Sequence, residues 1–319
     1  MRIHFVYAGT PDEGRNCSPY TITKNLHRFL SQRAEVIYHH WDAHYDIDLQ
    51  PDDILLGHPN YDPGTVVQRA FRSDKPCRAK CTIHPLHHGR PEDNMPFDEI
   101  SRKATAIFSI MGKYWYDTLE QSSFAHWKPK ITRLDMSVNA DIYQYLKGDF
   151  NNVGSRGIVY VGSSMPQKNL GMLTQLASRM PDVKFEWYGG SSDHPLFRLP
   201  NTYVEGWQDL GQDKLRTICA RNDIIISTSC SDANPTTIAE VGLASGLIPI
   251  CTRESGYYDS SVVSILLNDI NGSIRILREW LNKPSGVLKE MSLRNRETCV
   301  RDYNWDVFCN TVWNRLSQL

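Results

Sequence analysis

Acidic, basic and histidine side chains follow several apolar runs in this 319-residue chain. Asp232 and Glu240, with seven residues between them, come soon after the apolar residues 224–226, and a carboxylate readily accepts hydrogen bonds from the hydroxyl groups of a ligand. Lys168 follows another apolar run, where an ammonium group is suited to hold a phosphate. His84 ends a third run, and histidine suits acid–base chemistry near neutral pH. These four residues are the first candidates for a functional site.

The stretch that carries the two acids, residues 224–250, is predicted to fold as strand, loop, helix and strand. Pro235 fits the first position of a helix over residues 236–244, because its missing N–H group costs nothing there. Gly246 fits a left-handed helix cap, and residues 247–251 form the next strand. A loop at the carboxyl end of a parallel strand is where open α/β sheets bind ligands. The free N–H groups and the dipole of the following helix favour an anion, commonly a phosphate.

The same stretch resembles the nucleotide-sugar signature of the family four retaining glycosyltransferases, which have the GT-B fold. The resemblance rests on Ser229, Asp232, Pro235, Glu240 and the run ASGLIPI at residues 244–250. The family usually has Glu where this chain has Asp232, so a different sugar hydroxyl could be reached or the donor site could be weak. The alternative interpretation is a polar loop before an amphipathic helix.

The resemblance implies a role for each residue of this stretch. Glu240 would hydrogen-bond the donor ribose, and Asp232 would contact the donor sugar. Further donor contacts would come from the loop and the start of the helix, at Asn234, Pro235, Thr236 and Thr237.

Composition limits the class of protein. Hydrophobic residues make up 40% and charged residues 22% of the chain, which is typical of a globular protein. The net charge of −1 argues against binding to nucleic acid through a basic surface. No apolar run approaches the ~20 residues of a transmembrane helix. The eight cysteines are scattered, and we expect a cytoplasmic protein.

Alternating strands and helices occur in both halves, with a Gly- and Asn-rich segment at residues 148–157 between them. We expect an α/β protein with two Rossmann-like domains facing a cleft, as in GT-B proteins. Residues 1–150 would form the N-terminal acceptor-side domain, and residues 151–300 the C-terminal nucleotide-sugar-binding domain. By the same resemblance, a helix in residues 301–319 would pack back on the N-terminal domain.

In the first half, the loop around Gly14 resembles the family's glycine-rich loop, which approaches the donor diphosphate. His84 matches, by its order along the chain, a family histidine that faces the donor sugar; a polar loop is the alternative. Asp46 and Asp48 form a D-x-D pair, for which a solvated loop is favoured over a metal site. Cys77 and Cys81 lie near three histidines, but their spacing does not match a standard zinc site.

In the second half, the resemblance places Lys168 against the donor phosphates. The family usually has Arg where this chain has Ser163, so a second phosphate cation is absent from its expected place. Gly190 and Gly206 mark two turns that, in the family, wrap the nucleobase through backbone atoms.

The resemblance implies a retaining glycosyltransferase of the hexosyltransferase type, which moves a sugar from a nucleotide-diphosphate sugar to a glycan, a lipid-linked or another hydroxyl acceptor. Lys168, Asp232 and His84 are the catalytic candidates. We expect no bound metal and no cofactor beyond the donor. The alternatives are a non-catalytic GT-B-like protein that binds sugar nucleotides or glycans, a sugar-nucleotide epimerase, and a phosphorylase. No motif supports the pyridoxal phosphate lysine that a phosphorylase needs.

Overall fold

The computed structural model describes residues 1–12, 18–191, 193–207 and 209–319. The chain forms two compact units. Unit 1 consists of Met1–Met111, Trp115–Asp135 and Trp305–Leu319, and unit 2 consists of Gly112–Tyr114 and Met136–Asn304.

Unit 1 is built on a six-stranded parallel sheet with the strand order β2-β1-β3-β4-β5-β6. Two of its strands, Asp53–Gly57 and Ala106–Ile110, are buried along their whole length, as expected for a parallel sheet covered on both faces. The strands are β1 Arg2–Tyr7, β2 Glu35–His40, β3 Asp53–Gly57, β4 Ala79–Pro85, β5 Ala106–Ile110 and β6 Ile131–Leu134. Four helices connect them: α1 Ser18–Ser31, α2 Val66–Arg72, α3 Asp98–Lys103 and α4 Lys113–Thr118.

Unit 2 repeats the plan with a second six-stranded parallel sheet, in the order β12-β11-β10-β7-β8-β9. Its strands are β7 Gly157–Val161, β8 Lys184–Tyr188, β9 Thr202–Glu205, β10 Ile224–Ser227, β11 Ile248–Thr252 and β12 Val263–Ile265. Its α-helices are α5 Leu170–Arg179, α6 Gln212–Arg221, α7 Ile270–Leu281 and α8 Ser285–Asp302. The sheets confirm the predicted α/β class with two Rossmann-like units.

The last helix of the chain, α9 Trp305–Leu316, belongs to unit 1. It contacts α1 and β6 of that unit. The apolar stripe that the sequence shows in this segment is buried at Phe308, Val312 and Leu316. The stripe is therefore part of a core.

The helix that follows β10 differs from the sequence prediction in its geometry. Residues Ile238–Ala244 form a π-helix, with hydrogen bonds from residue i+5 to residue i. The backbone N–H and the hydroxyl group of Ser245 both donate to the carbonyl oxygen of Glu240, at 3.1 and 2.8 Å. Gly246 ends the helix with φ of +103°, which confirms the predicted left-handed cap.

Candidate functional site

Two loops of unit 2, which follow the neighbouring strands β7 and β10, are joined by hydrogen bonds. The N–H group of Cys230 donates to the carbonyl oxygen of Gln167 at 2.9 Å. The hydroxyl group of Thr228 donates to the carbonyl oxygen of Lys168 at 3.1 Å. Carboxyl ends of parallel strands meet at one edge of a sheet, and these bonds hold the two loops together at that edge.

This junction places the side chain of Lys168 against that of Asp232. The Lys168 ammonium group and the Asp232 carboxylate form an ion pair. Both side chains retain some exposure to solvent, 20% for Lys168 and 15% for Asp232. A third loop, which follows β11, supports Asp232, because the Asp232 N–H group donates to the carbonyl oxygen of Glu254 at 2.9 Å. The structure thus brings together two residues that the sequence assigned to one site.

The residues between Asp232 and the π-helix are held by their own polar groups. The side-chain oxygen of Asn234 accepts a hydrogen bond from the Met136 N–H group at 2.7 Å. The side-chain nitrogen of Asn234 is buried and has no hydrogen-bond partner among the described residues. Thr237 donates its hydroxyl to the carbonyl oxygen of Val161 at 3.0 Å.

Two further residues of this helix start were predicted to bind a donor. The carbonyl oxygen of Pro235 accepts a hydrogen bond from the Tyr257 hydroxyl at 3.0 Å. Thr236 is half-buried. Hydrogen bonds within unit 2 thus hold Asn234, Pro235 and Thr237 in place at the start of this helix.

Glu240 lies in the π-helix, and its side chain is hydrogen-bonded to the hydroxyl group of Tyr143. Burial of the carboxyl group raises the pKa of Glu240 to about 7, and the bond from Tyr143 opposes that rise. Near neutral pH the carboxyl group is therefore divided between its protonated form, which can donate a hydrogen bond, and its ionised form, which accepts only.

The other candidates in unit 2 lie in turns. Ser163 is exposed, and its carbonyl oxygen accepts a hydrogen bond from the Tyr160 hydroxyl at 2.9 Å. Gly190 donates its N–H group to the Glu205 carbonyl oxygen at 2.9 Å. A β-carbon at Gly190 would lie 2.3 Å from a methyl group of Val204, so this turn requires glycine.

In unit 1, His84 is completely buried at the end of β4. The rings of His58, Phe97 and Trp127 surround it, with centroids 5.3 to 6.3 Å away, and neither ring nitrogen has a hydrogen-bond partner within the described part of the chain. Burial lowers the pKa of His84 to about 3, so the imidazole is uncharged near neutral pH. The expected contact between His84 and a donor sugar stays a prediction. Gly14 lies outside the described residues.

The remaining alternatives in unit 1 involve paired or buried groups. Arg69 donates two hydrogen bonds to Asp46, both at 2.8 Å, and Lys75 binds Asp48 at 3.3 Å. Cys81 is buried, which raises the pKa of its thiol to about 12. Over the described ranges, no group of three or more His, Cys, Asp or Glu side chains is placed to hold a metal ion. No described helix is long and apolar enough to cross a bilayer.

Two residues near the candidate site carried no signal in the sequence. Tyr143 approaches Glu240 from a distant part of the chain, and no local spacing links the two. Glu254, which follows β11, accepts a hydrogen bond from the Tyr114 hydroxyl at 3.4 Å, and its other carboxylate oxygen is buried. Long-range contacts of this kind become visible only in the folded chain.

The two parallel sheets and their loops define the GT-B fold, the fold of a class of glycosyltransferases. The chain matches no protein-family model and no curated protein. Among solved structures, it is similar to sucrose-phosphate synthase from Thermosynechococcus elongatus, with a TM-score of 0.71 and 11% identity over 99% of this chain and 98% of that chain.

Two further solved structures share the fold. HepE of Anabaena in complex with UDP-glucose has a TM-score of 0.70 and 12% identity, with 100% of each chain covered. TarM has a TM-score of 0.63 and 16% identity over 83% of this chain, which spans only 55% of the TarM chain. At these identities the similarity shows the fold.

Proposed function

We propose that this protein is a nucleotide-sugar-dependent glycosyltransferase, and that its donor is a UDP-sugar. The ion pair between Lys168 and Asp232 is the observation that carries the proposal. It joins two loops at the carboxyl ends of β7 and β10, which is where open α/β sheets bind ligands. The bound UDP-glucose of HepE, a protein of the same fold, supports the choice of donor.

The reaction assigns a different task to each side chain. The bond between the anomeric carbon of the sugar and the diphosphate oxygen breaks, and its electron pair leaves with the diphosphate. A new bond forms between the anomeric carbon and the acceptor hydroxyl oxygen, and the hydroxyl proton passes to the leaving diphosphate. Lys168 stabilises the charge that grows on the leaving diphosphate, Asp232 orients the sugar, and Glu240 binds the ribose. His84 and the backbone around Gly190 and Ser163 complete the proposed donor contacts.

The stereochemical course and the metal requirement are further parts of the proposal. The transfer retains the configuration at the anomeric carbon, and it proceeds without a metal ion, since Lys168 supplies the positive charge. The acceptor is a hydroxyl group of a glycan, a lipid-linked saccharide or another molecule.

Release of UDP tests this function directly. The protein is incubated with UDP-glucose and other UDP-sugars, with and without EDTA, and with a panel of hydroxyl acceptors. We expect slow UDP release without acceptor, faster release with a suitable one, and no effect of EDTA. NMR of the product reports the anomeric configuration. Lys168→Ala should abolish release, whereas Lys184→Ala, at an exposed position on β8, should not.

A non-catalytic sugar-nucleotide-binding protein is the second candidate. Asp232 already neutralises the charge of Lys168, and Ser163 stands where the family usually has Arg, so less positive charge is available for the leaving diphosphate. Binding of UDP-glucose without UDP release for any acceptor would favour this candidate. No binding of any nucleotide would contradict both.

A further inference from the structure

The turn that carries Tyr143 is tied to the end of the π-helix. The Tyr143 N–H group donates to the carbonyl oxygen of Asn139 at 2.9 Å and closes the turn. The guanidinium group of Arg296, from α8, donates to the carbonyl oxygens of Tyr143 at 2.5 Å, Ala140 at 2.9 Å and Ala244 at 3.1 Å. One cation therefore links both ends of the turn to the last residue of the π-helix.

A second set of bonds joins the same two segments. The N–H groups of Leu146 and Lys147 both donate to the carbonyl oxygen of Ser245 at 3.1 Å. Ser245 in turn donates to the carbonyl oxygen of Glu240 through its N–H and hydroxyl groups. The backbone of Glu240 is thus fixed relative to the segment from which Tyr143 projects.

With both backbones fixed, the Tyr143 hydroxyl reaches the Glu240 carboxyl group and donates a hydrogen bond to it. The Tyr143 side chain is partly buried against the apolar core of unit 2, so its ring cannot turn away freely. Glu240 itself is half-buried, so the bond from Tyr143 orients a carboxyl group that a ligand can still reach.

We propose that Tyr143 is a positioning residue of the donor site, which holds the carboxyl group of Glu240 in the orientation in which it accepts hydrogen bonds from the ribose hydroxyls of a nucleotide sugar. The proposal rests on the donor site proposed above. It extends that site with a residue that does not itself touch the donor.

The bond also controls the protonation of Glu240. A hydroxyl donor stabilises the ionised carboxylate, so Tyr143 lowers the pKa of Glu240 against the rise caused by burial. Burial raises the pKa of the Tyr143 phenol, and the nearby charges of Glu240 and Asp209 raise it further, which keeps Tyr143 protonated as a donor. Arg296, which lies close by, donates hydrogen bonds to backbone carbonyl groups. Loss of the Tyr143 hydroxyl should therefore raise the pKa of Glu240 and leave less carboxylate near pH 7.

Equilibrium binding across pH tests the proposal on the full chain. The dissociation constants of UDP and 2′-deoxy-UDP are measured between pH 5.5 and 8.5 for the wild type, Tyr143→Phe and Tyr145→Phe. GDP, ADP and their 2′-deoxy forms serve as alternative probes if UDP does not bind. Tyr145 is a matched control, because its hydroxyl group pairs with that of Ser292 at 3.0 Å.

We expect wild-type affinity for the ribonucleotide to rise with pH as Glu240 ionises. Tyr143→Phe should weaken ribonucleotide binding roughly tenfold at pH 7, move the pH midpoint upward, and reduce the preference for ribose over deoxyribose. Tyr145→Phe should match the wild type. In a Glu240→Gln background, Tyr143→Phe should no longer change the pH profile.

Three outcomes are distinguishable. If Tyr143→Phe binds the ribonucleotide with the affinity and pH midpoint of the wild type, the inference is overturned and the proposed function stands. If Tyr143→Phe binds the ribonucleotide more weakly but with an unchanged pH midpoint, the inference is also overturned, because a merely structural role of Tyr143 would have that effect. No wild-type binding of UDP, GDP or ADP overturns the donor site and the inference together.

Discussion

Lys168 and Asp232 neutralise each other at the edge of the second sheet, where their two loops are joined by backbone hydrogen bonds. A diphosphate that binds Lys168 must therefore compete with the Asp232 carboxylate for the same ammonium group. The pairing also holds the Asp232 side chain in place before a donor arrives. Occupancy of the site by phosphate would release Asp232 toward the sugar.

This competition predicts opposite effects for two substitutions. Lys168→Ala should weaken UDP binding by about tenfold or more, because a charged hydrogen bond to phosphate is lost. Asp232→Asn should leave UDP binding unchanged or tighter, since Lys168 is released, while sugar transfer from UDP-glucose falls. Calorimetry gives the affinities and UDP release gives the rates. Weaker UDP binding in Asp232→Asn would contradict the competition.

Glu240 should make the protein less stable as pH rises. Its pKa in the folded protein is about 7, above the ordinary 4.5, so the folded state binds more protons than the unfolded state between these values. Stability contributed by the protonated group is then lost progressively from pH 4.5 to pH 7, by about 3 kcal/mol at most.

Glu240→Gln should consequently be more stable than the wild type at pH 8 and similar to it at pH 4, because glutamine stays neutral. Urea denaturation at the two pH values measures the difference. Equal stability at pH 8 would mean that the carboxyl group is better solvated than its position indicates. The gain in stability should accompany a loss of ribonucleotide binding, which is the usual relation at a functional site.

Gly256 should not tolerate a side chain. Its φ is +88°, and a β-carbon would lie 2.2 Å from the carbonyl oxygen of Ala233, which follows Asp232. We expect Gly256→Ala to destabilise the protein by about 1–3 kcal/mol through backbone strain, and to disturb the Asp232 loop. Gly286→Ala, where a β-carbon meets nothing within 4 Å, is the control. Denaturation midpoints and UDP affinity for both variants check this prediction.

Stability and sugar transfer together can distinguish a structural role of His84 from a chemical one. Its pKa of about 3 in the folded protein lies below the ordinary 6.5, so the unfolded state binds more protons as pH falls. Stability should fall from pH 6.5 downward by about 1.4 kcal/mol per pH unit through this residue.

His84→Leu should remove that acid sensitivity and keep or raise the stability near pH 7, because two buried nitrogens without partners are replaced by apolar groups. Denaturation at pH 5 and pH 7 measures both effects. Sugar transfer in the variant decides the chemical role: unchanged transfer contradicts the predicted sugar contact, whereas its loss with intact stability supports it.

The fold could be predicted from the sequence because parallel strands that are buried on both faces must be continuous apolar runs. β10 and β11 are examples, since isoleucine-rich segments and the intervening Pro235 and Gly246 mark strand, helix start and helix end. The pairing of Lys168 with Asp232 also agrees with chain order, since both residues lie in loops that follow neighbouring parallel strands.

Other features depend on contacts that spacing does not encode. At the end of the π-helix, Ser245 donates to Glu240 and accepts hydrogen bonds from Leu146 and Lys147, and the expectation of an ordinary helix missed this pattern. A polar loop is the alternative that the sequence leaves open for His84, but the structure places His84 in β4, where aromatic side chains from distant positions enclose it. Tyr143 and Glu240 are far apart in the chain, and Arg296 from α8 links the two segments that carry them.

The return of α9 to unit 1 has a consequence for synthesis on the ribosome. Unit 2 is nearly continuous in the chain, so it can complete its fold as soon as residue 304 has emerged. Unit 1 is made first, yet α1 and β6 lack their partner helix until Leu316 has been translated. The half that is made first is therefore the half that is finished last, and until then the apolar side chains that α9 covers stay exposed.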